Sequence, residues 1–305
     1  MWREYAVQPE CLTQSWDGFR AIFSQFGNEQ GRWLARYPAK DWMRLFYENL
    51  GASTISDIAR ARITESITLR KQAFVNAGRP YDVSIAWLPN AEAQQSTPKP
   101  FAAIVAMDNP RKHPAVQSYD EFTGDHPLLA SPNQISVPRT SSDMVACLSS
   151  LLARSKQVIL IDPYFGSLEA RFLNVMESVL ANLVRPHEPV TRIEYHLAVS
   201  SRVLDEAAFA REIRRRTERR IPKGLKVSFL LWEQKDGGEK LHDRYVITEL
   251  GGVDFSIGLD EGNPGETTKV TRLSSAIYEK VWRDHSPVSS IYKLCHQYEV
   301  LGTKQ

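Results

Sequence analysis

The alternation of apolar runs with amphipathic helical stretches between Val158 and Trp232 constrains this chain more than any other feature. Val158-Ile159-Leu160-Ile161 is a continuous apolar run, the pattern of a strand buried on both faces of a parallel sheet. A helical stretch from Ser167 to Leu183 follows, about 17 residues at ~1.5 Å each, long enough to cross back over a sheet. Next come a strand over Ile193 to Val199, a helix over Asp205 to Arg219 and a strand over Leu225 to Trp232. A β-α-β-α-β order of this kind predicts parallel strands with helices on the faces of the sheet. A helix over 142–155 precedes it. Two strands, Arg244 to Glu249 and Val253 to Gly258, follow and are joined by a hairpin-like turn at Leu250-Gly251-Gly252. Helices are expected at 274–283 and 288–299. Residues 140–305 therefore read as an α/β domain with a mixed, mostly parallel sheet flanked by helices. No internal repeat is visible.

The first 139 residues follow a different pattern and are expected to form an α+β domain. Trp16, Phe19, Ile22, Phe23 and Phe26 recur at helical spacing between a capping Ser15 and a terminating Gly27. A short helix after Pro38 carries Trp42, Leu45, Phe46 and Leu50, and a longer one after Thr54 carries Ile55, Ile58, Ile63, Ile67 and Phe74. Aromatic residues at this spacing are read as core rather than as a stacking surface for a ligand. Strands are expected over Tyr81 to Leu88 and Phe101 to Met107, separated by a loop. The proline-rich stretch 108–139 reads as a connector between the two domains.

Composition narrows the functional classes. With 42% hydrophobic and 24% charged residues the chain is globular rather than disordered, and 305 residues suffice for two domains. A formal charge of +2 is too small to mark a nucleic-acid binder, so only local clustering could do so. The cysteines Cys11, Cys147 and Cys295 are too scattered for a disulfide framework or a zinc site. No metal or other cofactor is expected. Neither a secretory leader nor a membrane-spanning run is visible, and a reducing, cytoplasmic setting is expected.

The chemistry concentrates in Leu241-His242-Asp243-Arg244-Tyr245-Val246-Ile247-Thr248-Glu249. On an extended chain His242 and Arg244 share a face. An imidazole can attack phosphorus or donate a proton, and a guanidinium can neutralise phosphate oxygens. An isolated His-x-Arg would more often be a strand-edge histidine beside an arginine paired with a carboxylate such as Asp260. Here it sits in a wider pattern. His242-x-Arg244-x4-Glu249, the following Gly252-Val253-Asp254-Phe255-Ser256-Ile257-Gly258 and the upstream Asp162-Pro163-Tyr164-Phe165 resemble the phospholipase-D-like superfamily. Members carry His-x-Lys-x4-Asp followed by a Gly/Ser-bearing strand. His242-Asp243-Arg244 with Gly258-Leu259-Asp260 is closest to the phospholipase-D-like C-terminal domain of MIT-domain proteins and its bacterial relatives.

The resemblance covers about half the chain. It implies a site with His242, Arg244 and Glu249 in the catalytic positions and Ser256, Asp162 and Asp260 around the phosphate. Two departures weaken catalysis more than binding. Arginine replaces lysine, keeping the charge in a planar fork, and glutamate replaces aspartate, displacing the carboxylate by a methylene. Active members use two histidines, so a single copy would need a homodimer to cut.

The densest basic run, Arg211 to Arg220, places Arg211, Arg215 and Arg219 along a helix as a candidate backbone-tracking patch for nucleic acid. Cys295-His296 lacks metal partners nearby, and Gly262-Asn263-Pro264-Gly265 reads as a surface turn. The expectation from the resemblance is a phosphodiester-binding protein, nucleic-acid-directed, acting with other subunits in a bacterial defence-type assembly. A homodimeric, metal-independent nuclease using His242 as nucleophile is the first alternative, and an anionic-lipid module the second.

Overall fold

The computed structural model describes residues 1–76, 78–185, 189–199, 206–286, 288–289 and 291–305. They fall into two compact units, Trp2–Pro132 and Asn133–Gln305, Met1 grouping with the second.

The first unit holds a five-stranded sheet in which every neighbouring pair is parallel. Its strands are β1 (Arg3–Val7), β2 (Arg32–Arg36), β3 (Phe74–Asn76), β4 (Ala103–Ala106) and β5 (Val116–Ser118), in the order β3-β2-β1-β4-β5. Helices α1 (Trp16–Phe23), α2 (Trp42–Ala52) and α3 (Asp57–Leu69) cover one face through Phe19, Trp42, Phe46 and Ile63. Helix α4 (Trp87–Ala93) covers the other through Trp87 and Ala91. Ser15 caps α1, its side chain accepting the Gly18 N–H at 2.9 Å.

The expected α+β arrangement is thus replaced by an α/β one. The strands that change it are β1, β2 and β3, each of three to five residues and too short to stand out. Phe74, expected on the helix after Thr54, instead opens β3, because α3 ends at Leu69. The strand expected over Tyr81 to Leu88 is absent. Asn90 donates to the carbonyls of Asp82, Ile85 and Ala86 and accepts the Asp82 N–H, folding that segment into turns that lead into α4. Nor is 108–139 a free connector. Val116 to Ser118 extends the first sheet, Leu129 is buried in the core, and Gln134 to Pro138 form a strand of the second unit.

The second unit is built on eight strands: β6 (Gln134–Pro138), β7 (Gln157–Ile161), β8 (Arg192–Ala198), β9 (Lys226–Gln234), β10 (Tyr245–Thr248), β11 (Gly251–Phe255), β12 (Thr267–Arg272) and β13 (Tyr292–Leu301). Their order is β13-β9-β8-β7-β10-β11-β12-β6. The expected β7 to β11 lie in one sheet, but that sheet is mixed rather than mostly parallel. Only β7-β8 and β8-β9 pair in parallel, and the other neighbours are antiparallel. Of the helix expected over 288–299, the residues from Tyr292 on belong instead to β13, which pairs with β9 through a bulge between Leu294 and His296, and Ser290 lies outside the described residues. Without β13 the nine residues of β9 would be an open edge, and the backbone partners it provides outweigh weak local preference.

Helix α9 (Ser275–Asp284) packs on one face against Ile159, Ile161, Leu230 and Trp232. On the opposite face lie α5 (Ser141–Ala146), α6 (Ser149–Leu152), α7 (Ala170–Ala181) and α8 (Glu206–Thr217), over a stack of Phe165, Tyr195 and Phe229. Asp205, the expected first residue of α8, lies outside the described residues. Among the described residues no helix is long and apolar enough to cross a membrane.

Candidate phosphate-binding site

At the carboxyl end of β7 a cavity of about 480 Å³ opens beside the start of β10. Its wall includes Asp162, Tyr164 and Ser167 after β7, Glu169 and Arg171 at the head of α7, Arg139 after β6, Arg244 before β10, and Ile257, Gly258 and Asp260 after β11. The volume is that of a small-ligand site. The chain enters α7 through a 3-10 turn and Leu168, whose φ of 51° reverses its direction.

The carboxylates on this wall are already engaged. Asp162 is fully buried; one oxygen accepts the Tyr164 N–H at 2.9 Å and the other accepts the Leu259 N–H at 2.9 Å. Burial pushes its carboxyl above the usual range, opposed by those two N–H groups and by the positive charge of Arg244. Asp260 lies between Arg139 and Arg171, meeting Arg171 at 3.0 Å, and Arg139 also holds Glu266 at 3.0 Å. Gly258 makes this possible, because a Cβ there would collide with the Asp260 carboxylate.

Arg244 is different. Its carbonyl accepts the Phe255 N–H at 2.8 Å, which extends the β10-β11 ladder and fixes the backbone. Its guanidinium lies over the Tyr164 ring, 4.9 Å from the centroid. It forms no hydrogen bond or ion pair with a described residue, and its Nε is buried without a partner. Of the three arginines on the wall, Arg244 alone makes no ion pair with a described residue, its charge reaching Asp162 and Asp254 only through space. A half-buried, planar, permanently charged donor in a cavity is suited to an anion with several acceptor oxygens.

The remaining sequence-derived candidates separate. His242 lies in the segment before β10, is 57% exposed at its side chain, pairs with the adjacent Asp243 and does not line the cavity. Glu249 sits at the far end of β10, about 16 Å along the strand at ~3.3 Å per residue from Arg244. There it accepts the backbone N–H groups of Lys156 and Gln157, the latter at 2.8 Å, and so anchors the start of β7. Ser256 is exposed beside the cavity, joined to Lys269 through backbone and side chain. The set His242, Arg244, Glu249 is therefore not one cluster, whereas Asp162, Arg244 and Asp260 are brought together.

Arg211, Arg215 and Arg219 are all exposed, and Arg215 is paired with Glu212 at 2.6 Å. The buried face of α8 is Phe209, Ile213 and Thr217, and none of the three arginines lines the cavity. Arg139, Glu169 and Arg171 escaped the sequence reading. Arg139 stands in what read as connector and Arg171 in an ordinary helix start, so only their convergence on Asp260 marks them. Among the described residues no group of three or more His, Cys, Asp and Glu side chains could hold a metal ion.

No protein-family model matches this chain, and a search of curated proteins finds no match.

Proposed function

We propose that the second unit binds a phosphodiester of nucleic acid in the cavity after β7, with Arg244 receiving the phosphate. The observation that supports this most is the guanidinium of Arg244, free of hydrogen bonds and ion pairs among the described residues, on the wall of a ligand-sized cavity whose own carboxylates Asp162, Glu169 and Asp260 already have partners. The resemblance of His242-x-Arg244 and Gly258-Leu259-Asp260 to phospholipase-D-like domains points to the same ligand chemistry. An exposed His242 outside the cavity favours holding a phosphodiester over cutting it. On this reading the protein is a binding component, acting with other subunits in a bacterial defence-type assembly.

The test is fluorescence anisotropy of the full chain with labelled DNA and RNA oligonucleotides. Losing a charge-assisted contact of roughly 1.5–3 kcal/mol should weaken binding by about 10- to 100-fold in Arg244→Ala. Arg244→Lys should retain part of it, and His242→Ala should leave it unchanged. Unaltered affinity in a folded Arg244→Ala protein would refute the assignment. Oligonucleotide cleavage lost in His242→Ala would replace binding with catalysis.

A further inference from the structure

We infer that the cavity takes a single-stranded nucleotide unit, its base stacked on Tyr164 beside the phosphate held by Arg244; this rests on the phosphodiester reading above. Tyr164 is 52% exposed although it lines the cavity. Among the described residues of the second unit, the exposed large hydrophobic side chains are Tyr164, Val184, Ile257, Ile277, Val288 and Leu301, and Tyr164 is the only aromatic in that set. Two of them, Tyr164 and Ile257 (48% exposed), stand on the cavity wall. One face of the ring lies under the Arg244 guanidinium, and the rest of this half-exposed aromatic is available to a flat partner at the charged cavity.

The main chain beneath the ring is also held in place. The Tyr164 N–H is fixed by Asp162 at 2.9 Å, and the Arg244 guanidinium lies 4.9 Å from the ring centroid. A cation over an aromatic ring stiffens and polarises the pair. Among the described residues the Tyr164 hydroxyl has no hydrogen-bond partner, so the contact that orients the ring is the Arg244 guanidinium beside the cavity. Guanidinium and ring are adjacent, as the phosphate and base of one nucleotide are.

Tyr164 also decides which nucleic acid can bind. Bases inside a duplex are stacked on each other and present only their edges, so they cannot cover a tyrosine face. A base from a single strand, or one turned out of a helix, can. A lipid headgroup shares the phosphate but has no flat ring, so it would leave Tyr164 uncovered.

The experiment measures anisotropy of the full chain with a labelled single-stranded oligonucleotide, the same strand carrying abasic sites, and its blunt duplex. Vesicles containing anionic phospholipid are tested in parallel by co-sedimentation. Proteins compared are the wild type, Tyr164→Leu, Tyr164→Phe and Arg244→Ala, with folding checked by circular dichroism. Stacking predicts that the single strand binds more tightly than the duplex or the abasic strand. Tyr164→Leu should lose about 5- to 100-fold for the single strand only, and Tyr164→Phe should keep it. Loss of all binding in Arg244→Ala with no effect of Tyr164→Leu would overturn the stacking inference while leaving the phosphate reading intact. Equal affinity of Arg244→Ala and wild type for every ligand would overturn both. Binding to vesicles alone would likewise overturn the inference.

Discussion

Asp162 accepts the Leu259 N–H at 2.9 Å across the cavity floor, so a single carboxylate ties the end of β7 to the loop that follows β11. Its second oxygen holds the Tyr164 N–H at 2.9 Å. Although the sequence pattern places Asp162 beside a phosphate, its negative charge and engaged oxygens suit it to shaping the cavity instead. Arg244 contributes to its surroundings as a charge rather than as a hydrogen-bond partner.

That arrangement predicts the effect of Asp162→Ala. The Leu259 N–H loses its acceptor at a buried site, at a cost of roughly 1–3 kcal/mol, and the part-buried Tyr164 N–H loses its own at a smaller cost. Urea unfolding should show a loss of about 2–4 kcal/mol, and affinity for oligonucleotides should fall because the loop carrying Gly258 and Asp260 is released. Unchanged stability would mean that water replaces the carboxylate.

Glu249 should behave as an anchor and not as part of the ligand site. Glu249→Ala removes the acceptor for the Lys156 and Gln157 N–H groups. A drop of about 1–2 kcal/mol in unfolding free energy is expected. Oligonucleotide affinity should remain that of the wild type when measured well below the melting temperature. A selective loss of binding or turnover at full stability would return Glu249 to the site.

A buried histidine pair predicts acid sensitivity. His196 donates from Nε2 to Glu194 at 2.9 Å and accepts the Trp232 indole N–H at 3.0 Å on Nδ1, so the imidazole is held neutral. Burial lowers its pKa, opposed by Glu194. Its ring lies 5.6 Å from that of His285, centroid to centroid. His285 donates from Nδ1 to the Val281 carbonyl at 2.9 Å, while its Nε2 is buried without a partner. Burial, and then the nearby His196, pull the His285 pKa down to about 3. A free imidazole titrates near ~6.5, so on acidification the unfolded chain takes up the proton first. The stability conferred by neutral His285 is full above about pH 6.5 and is lost as pH falls toward 3. Urea unfolding at pH 7, 6 and 5 should show this decline, at up to ~1.4 kcal/mol per pH unit for each histidine. His285→Phe should flatten the slope, and an unaltered slope would assign the acid sensitivity to other groups.

The exposed arginines of α8 give a separate prediction. Arg215 and Arg219 face solvent, so Arg215→Glu with Arg219→Glu should leave the fold intact. If these side chains extend the phosphate contact into a track, the slope of log affinity against log salt should flatten by about two units. An unchanged slope, read from anisotropy at several salt concentrations, would make the helix an ordinary solvated face.

The second unit was the more legible in sequence because its signals are local. The apolar run Val158 to Ile161, the helical periods around α7 and α8 and the loop-strand grammar around Arg244 each depend on neighbours along the chain. In the first unit the same logic found α1, α2 and α3 but missed β1, β2 and β3, whose burial comes from helices far away in sequence. The segment 292–301 shows the limit most clearly. The local pattern read as a helix over 288–299, and hydrogen bonding to β9 makes Tyr292 to Leu301 a strand.

The candidate site divides in the same way. Residue type and motif context put Arg244 and Asp162 together as an expectation, and the structure brings both to one cavity wall. Which groups remain available was not legible. Arg139 and Arg171 are spent on Asp260, Glu249 on the amides before β7, and Arg244 is left with no ion pair among the described residues. By itself the sequence determined where strands and helices of strong local period begin and which residue types could meet a phosphate. The tertiary structure alone decided the pairing of strands and carboxylates, because both depend on partners brought together from distant positions and on how deeply burial removes them from water.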